Sequence, residues 1–220
     1  MPGRIFCFLI ALLCVAQDRR MVTEKIEWTY SDRPEKPNAS LPNVLLIGDS
    51  ITRAYYPAVA KGLDGSANCY YFATSASIGD ERLARQLGEY FTMIQVSFDV
   101  VHFNNGMHGW GYTENEYDKY FGELRAEIRV RAPHAKLVWA STTPVRKDQP
   151  GGATNVRIEA RNAIAARMVG ASIPVDDQYS LMKAHADLHS DDVHFNAEGS
   201  ALQAAQVVDS VIKLLRIPAK

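Results

Sequence analysis

Ser50, Asp191 and His194 are the residues whose types could together build a nucleophile. An apolar run from Val44 to Ile47 ends abruptly on Gly48, Asp49 and Ser50. A serine hydroxyl is a weak nucleophile at neutral pH and needs a base within hydrogen-bond reach. The base is usually a histidine whose far ring nitrogen is held by a carboxylate. "DDVH" (191–194) supplies both, three residues apart, and a tight loop lets such an acid reach the ring. Each residue also has a plainer use. Ser50 could cap the next helix, Asp191 and Asp192 could be turn residues, and His194 could lie on the surface. A metal site is a further alternative, because His185, His189, Asp191 and His194 crowd together. Their spacing departs from the two-histidine helix face of a zinc hydrolase.

The elements that must position these residues decide between the readings. "NVLLIG" (43–48), "CYYFA" (69–73), "DVVHFN" (99–104), "KLVWAS" (136–141) and "SIPV" (172–175) are candidate strands. Their near-continuous apolar character is that of strands buried on both faces. Stretches 80–95, 114–131, 154–169 and 197–215 repeat apolar residues every three or four positions, as amphipathic helices do. Strand and helix alternating imply a parallel sheet with helices on both faces. Ligands bind such sheets beyond the carboxyl ends of the strands. Ser50 follows the first strand, and "DDVH" follows the last by way of a short helix. That shared sheet end favours the nucleophile over the separate plain uses. "TSASIGDE" (74–81), "NGMHGW" (105–110) and "TTPVRKDQPGG" (142–152) supply the other loops at that end.

The chain has 220 residues, a formal net charge of -1, 47% hydrophobic and 22% charged residues. With no block of like charge, nothing points to a nucleic acid or an anionic membrane bound through electrostatics alone. Arg4 precedes the uncharged "IFCFLIALLCVA" (5–16), which resembles a secretory signal peptide; an uncut anchor is the alternative. Residues 1–20 are therefore set apart, 21–42 with Pro34, Pro37 and Pro42 read as an extended lead-in, and 43–220 form one domain. A secreted or periplasmic location follows, with no stable membrane partner after cleavage. Cys7 and Cys14 lie in the apolar stretch, and Cys69 lies in "ANCYYFA" as a buried, inert thiol.

These residues resemble the SGNH hydrolases, also called GDSL esterases and lipases, over nearly the whole chain after residue 42. "GDS" (48–50) is similar to the family's first block, "SASIGD" (75–80) to its second and "DDVHFNAEG" (191–199) to its last. The third block departs, because His108 in "GMHG" (106–109) stands where the family has asparagine, with Asn104 and Asn105 as rivals. The variant is similar to carbohydrate-directed esterases whose strand ends in Phe-Asn-x-Gly-x-His.

The resemblance implies a three-layer α/β/α sandwich, flavodoxin-like, with about five parallel strands. It implies ester hydrolysis through an acyl-enzyme, with Ser50 as nucleophile, His194 as base and Asp191 as its orienter. Ser50 and Gly79 would offer backbone N–H groups to the oxyanion. His108 would add its ring, with Asn104 in support. The resemblance implies no cofactor and no metal. Expected substrates are short-chain acyl esters, small-molecule or saccharide, with carbohydrate O-deacetylation foremost. An arylesterase or lysophospholipase-like activity is the alternative, as is a non-catalytic carbohydrate-binding relative. Trp110 is either a sugar-stacking platform or a core residue.

Overall fold

The computed structural model describes residues 22–216, so the apolar N-terminal segment lies outside the described residues. Six strands form one sheet in the order β1-β3-β2-β4-β5-β6. They are β1 Thr29–Asp32, β2 Asn43–Gly48, β3 Asn68–Thr74, β4 Val100–Phe103, β5 Lys136–Ala140 and β6 Val175–Asp176. β2 to β6 run parallel, and β1 pairs antiparallel with β3. The lead-in therefore contributes an edge strand that the sequence reading left out. Its "TYSD" is exposed throughout, so no apolar run announces it. The last strand begins three residues later than expected, because Gly170–Ser172 is a 3-10 turn.

Six α-helices cover the sheet. They are α1 Ser50–Gly62, α2 Glu81–Ile94, α3 Glu114–Arg131, α4 Asn155–Val169, α5 Gln178–Lys183 and α6 Ala197–Arg216. Alternation along the strands feeds two cores. Leu45, Ile47, Val101 and Phe103 pack with residues of α2, α3 and α4. Val44, Leu46, Val100 and Val138 pack with residues of α1 and α6. This is the three-layer sandwich. α1 carries Pro57 in its interior, which forgoes a backbone bond to the residue four before it. Its Tyr55, Tyr56 and Val59 are nonetheless buried, and that packing sustains the helix. Cys69 is buried on β3, and burial pushes its thiol up to about 12.

Candidate active site

β2 brings Gly48 to the carboxyl end of the sheet, where α1 turns back at once. A Cβ on Gly48 would lie 1.9 Å from Thr52 Oγ1 and 3.2 Å from the Asn104 carbonyl oxygen, so only glycine fits. Asp49 is the N-cap of α1, with Oδ1 accepting the Ile51 N–H at 3.0 Å. Its Oδ2 accepts the Met107 N–H at 3.1 Å, tying this turn to the loop after β4. Asp49 thus takes the capping role that Ser50 could have held. The Ser50 hydroxyl instead meets His194, with Oγ 2.9 Å from Nε2.

The His194 loop is built around Asp191. Asp191 Oδ1 accepts the N–H groups of Val193 at 2.7 Å and His194 at 2.6 Å. Oδ2 lies 2.8 Å from His194 Nδ1. Partial burial opposes ionisation of Asp191, but the two backbone N–H groups and the His194 ring outweigh it and hold the carboxyl at about 2. An ionised carboxylate only accepts, so Nδ1 carries the hydrogen, and a neutral ring then turns the Nε2 lone pair to Ser50. Ser50, Asp191 and His194 therefore converge, 144 residues apart in sequence at the widest.

The remaining expected residues fare differently. Asn105 is fully buried, and its Nδ2 donates to the carbonyls of Gly48 at 3.2 Å and Thr74 at 3.1 Å, clamping the ends of β2 and β3. Asn104 is half-buried, and its Oδ1 accepts from Thr142 Oγ1 at 3.4 Å. The expectation for Gly79 is corrected. Its N–H donates to Ser77 Oγ at 2.9 Å within its own loop. A Cβ on Gly79 would lie 2.6 Å from Tyr112 Cβ, so the glycine serves close packing. Trp110 is not an open platform, since the Arg161 and Arg157 guanidinium groups lie over its ring at 4.3 and 5.4 Å. Its Nε1–H donates to the Met107 carbonyl at 2.7 Å.

His108 sits between these loops. Met107 is bonded to Asp49, and Gly109 packs so tightly on Ser77 that a Cβ there would lie 2.0 Å from Ser77 Oγ. The His108 ring has Nδ1 2.6 Å from Glu24 Oε1, while Nε2 is buried with no protein partner. Burial alone would lower its pKa. The Glu24 hydrogen bond and the charges of Asp49, Glu24 and Glu27 outweigh that and raise it above the ordinary histidine value. The metal alternative finds no shared centre. His189 faces the carbonyls of Ala186 and Pro144 with its two ring nitrogens, and no group of three or more possible ligands is placed for a metal among the described residues.

Sequence reading missed Glu24, which hides in a polar lead-in, and Arg161, which sits in a helix pattern like any surface charge. Arg161 is buried and donates to the carbonyls of His108 at 3.3 Å, Gly109 at 3.1 Å and Tyr112 at 2.9 Å. Burial and the neighbouring Arg157 lower it to about 10.

No protein-family model matches the sequence, and no curated protein does. Solved structures do. A GDSL-like lipase from Bacteroides thetaiotaomicron superposes with a TM-score of 0.62 at 19% identity, over 80% of this chain and 91% of that one. A carbohydrate esterase family 3 protein from Talaromyces cellulolyticus gives 0.62 at 17%, over 81% and 100%. The fold is that of the SGNH hydrolases. The C-terminal catalytic domain of Streptococcus pneumoniae peptidoglycan O-acetyltransferase A superposes as well, with a TM-score of 0.59 at 18% identity, over 82% and 98%.

Proposed function

We propose that the chain is a serine esterase that hydrolyses short-chain acyl esters through an acyl-enzyme. The observation that carries this is the Ser50–His194–Asp191 relay, at 2.9 and 2.8 Å, in a turn already capped by Asp49. Ser50 Oγ attacks the ester carbonyl while His194 Nε2 takes its proton. His194 returns that proton to the departing alcohol, and then draws one from water as the water attacks the acyl carbon. The free acid leaves, and Ser50 regains its hydrogen. Asp191 stays ionised and steadies the imidazolium. The oxyanion receives the Ser50 N–H, which opens α1 and has no intrahelical acceptor, and the His108 ring from the loop after β4.

The substrate class we favour is an O-acetylated carbohydrate. A carbohydrate esterase and an O-acetyltransferase domain share the fold. The apolar segment 5–16 supports export to where polysaccharides lie. The test is a chain-length series of p-nitrophenyl esters beside acetylated xylan. Highest kcat/KM on acetyl, with acetate released from the polysaccharide, supports the reading. A preference for long acyl chains overturns it.

A further inference from the structure

We infer that Glu24 is a positioning residue of the oxyanion site: it grips His108 by Nδ1 and presents Nε2–H to the oxyanion. The inference rests on the reading of Ser50 as nucleophile and His108 as oxyanion donor. Three observations carry it. The first is the bond itself, Nδ1 to Glu24 Oε1 at 2.6 Å, short as a charge-assisted pair should be. The second is the far side of the ring. The His108 side chain is 13% exposed, and its Nε2 is shielded from solvent without any protein partner. Other buried side-chain atoms also lack a partner, such as Tyr90 Oη and Trp139 Nε1 in the core, so this one counts only together with the Glu24 bond on the opposite ring nitrogen, which leaves Nε2 free to donate to a ligand.

The third observation is the path of the chain. Val22 N–H donates to Tyr112 Oη at 2.9 Å, and Val22 packs over Gly111. Trp28 N–H donates to Ser75 Oγ at 2.9 Å, and its carbonyl accepts the Ser75 N–H at 3.0 Å. Residues 22–28 are thus strapped from the loop after β4 to the end of β3, with Glu24 between the anchors. The Trp28 ring meets the His108 ring edge-on at 5.6 Å and fixes its tilt.

The charges around His108 favour a ring with hydrogen on both nitrogens. Glu24 and Glu27 come from the strap, and Asp49 comes from the end of β2. Glu27 is shared with Arg82 of α2. Arg161 of α4 reaches His108 only through its carbonyl. An imidazolium can serve Glu24 and the oxyanion at once, and it meets a developing negative charge with a positive one.

The experiment is Glu24→Gln, assayed with p-nitrophenyl acetate across pH. Glu24 is partly exposed, so the fold should hold, and thermal melting checks it. Expected are a fall of about tenfold or more in kcat with KM little changed, and an alkaline limb moved to lower pH. In Ser50→Ala protein, the NMR titration of the His108 ring should move down with Glu24→Gln, a readout independent of turnover. In a His108→Ala background, Glu24→Gln should change kcat no further. Unchanged kcat and an unmoved His108 titration overturn the role of Glu24, as does a full additional loss in the double variant. Ordinary activity in Ser50→Ala would instead overturn the nucleophile, whatever Glu24 does.

Discussion

Asp191→Asn separates the two tasks of one carboxylate. Asp191 makes three hydrogen bonds: two through Oδ1 to the N–H groups of Val193 and His194, and one through Oδ2 to His194 Nδ1. An asparagine keeps a carbonyl oxygen for the two backbone bonds, so the loop should stand. Its NH2 group then faces Nδ1, which must become the acceptor, and the ring hydrogen moves to Nε2. Nε2 can no longer take the Ser50 proton. The loss expected from a reversed tautomer is about 10⁴ in kcat, roughly 5.5 kcal/mol of barrier. Asp191→Ala should lose a similar factor and also melt lower, because two loop bonds worth about 1 kcal/mol each go with it. The assay is steady-state hydrolysis of p-nitrophenyl acetate, with melting followed by circular dichroism. If Asp191→Asn keeps more than about one hundredth of wild-type kcat, His194 is not oriented as described. The Asp191 carboxyl, held at about 2, stays ionised well below neutral pH, so an acid limb near neutrality is not its titration.

Ser50→Ala should remove turnover by several orders of magnitude with little change in melting, and an organophosphonate should label wild type once, at Ser50, by peptide mass mapping. Gly48→Ala forces a Cβ to 1.9 Å from Thr52 Oγ1, so it should cost about 1–3 kcal/mol in chemical denaturation and lower kcat by displacing the turn. Asp176 on β6 is fully buried; burial pushes its pKa up, but the His102 ring at 2.8 Å and the Gln178 and Gln206 amides bring it below the ordinary value. Its ionised form therefore adds stability above the unfolded pKa of about 3.9, and that stability is lost as pH falls through the lower folded value. Asp176→Asn should cost about 3–5 kcal/mol at pH 7, with the gap to wild type closing below about pH 4; a gap constant from pH 7 to 3 would refute this.

The parallel sheet was legible because its strands are buried on both faces and so are apolar without interruption, as in Val44 to Ile47. β1 was not, since an exposed edge strand needs no apolar pattern. α1 carries Pro57 in its interior, and the buried Tyr55 and Val59 supply the packing that a reading of local pattern does not weigh. Asp191 and His194 could be read together because their contact is local, three residues apart. Glu24 and His108 could not, because 84 residues separate them and only the fold brings them to 2.6 Å. For Gly79, a glycine at the right place in a motif said nothing of where its N–H points, and Ser77 two residues earlier takes it.

Cys69 gives the molecule a clock. Burial pushes its thiol pKa up, so the closed fold holds little reactive thiolate at neutral pH. The side chain lies inside the sheet layer beneath α1 and α6. An alkylating reagent therefore reaches it only when the packing of α1 and α6 on the sheet opens. The other two cysteines of the sequence, Cys7 and Cys14, lie in the apolar segment 5–16, so a label on Cys69 is told apart by peptide mapping. Each alkyl group mapped to Cys69 then records one molecule whose inner layer has opened, so that opening can be followed in plain buffer, without denaturant or heat.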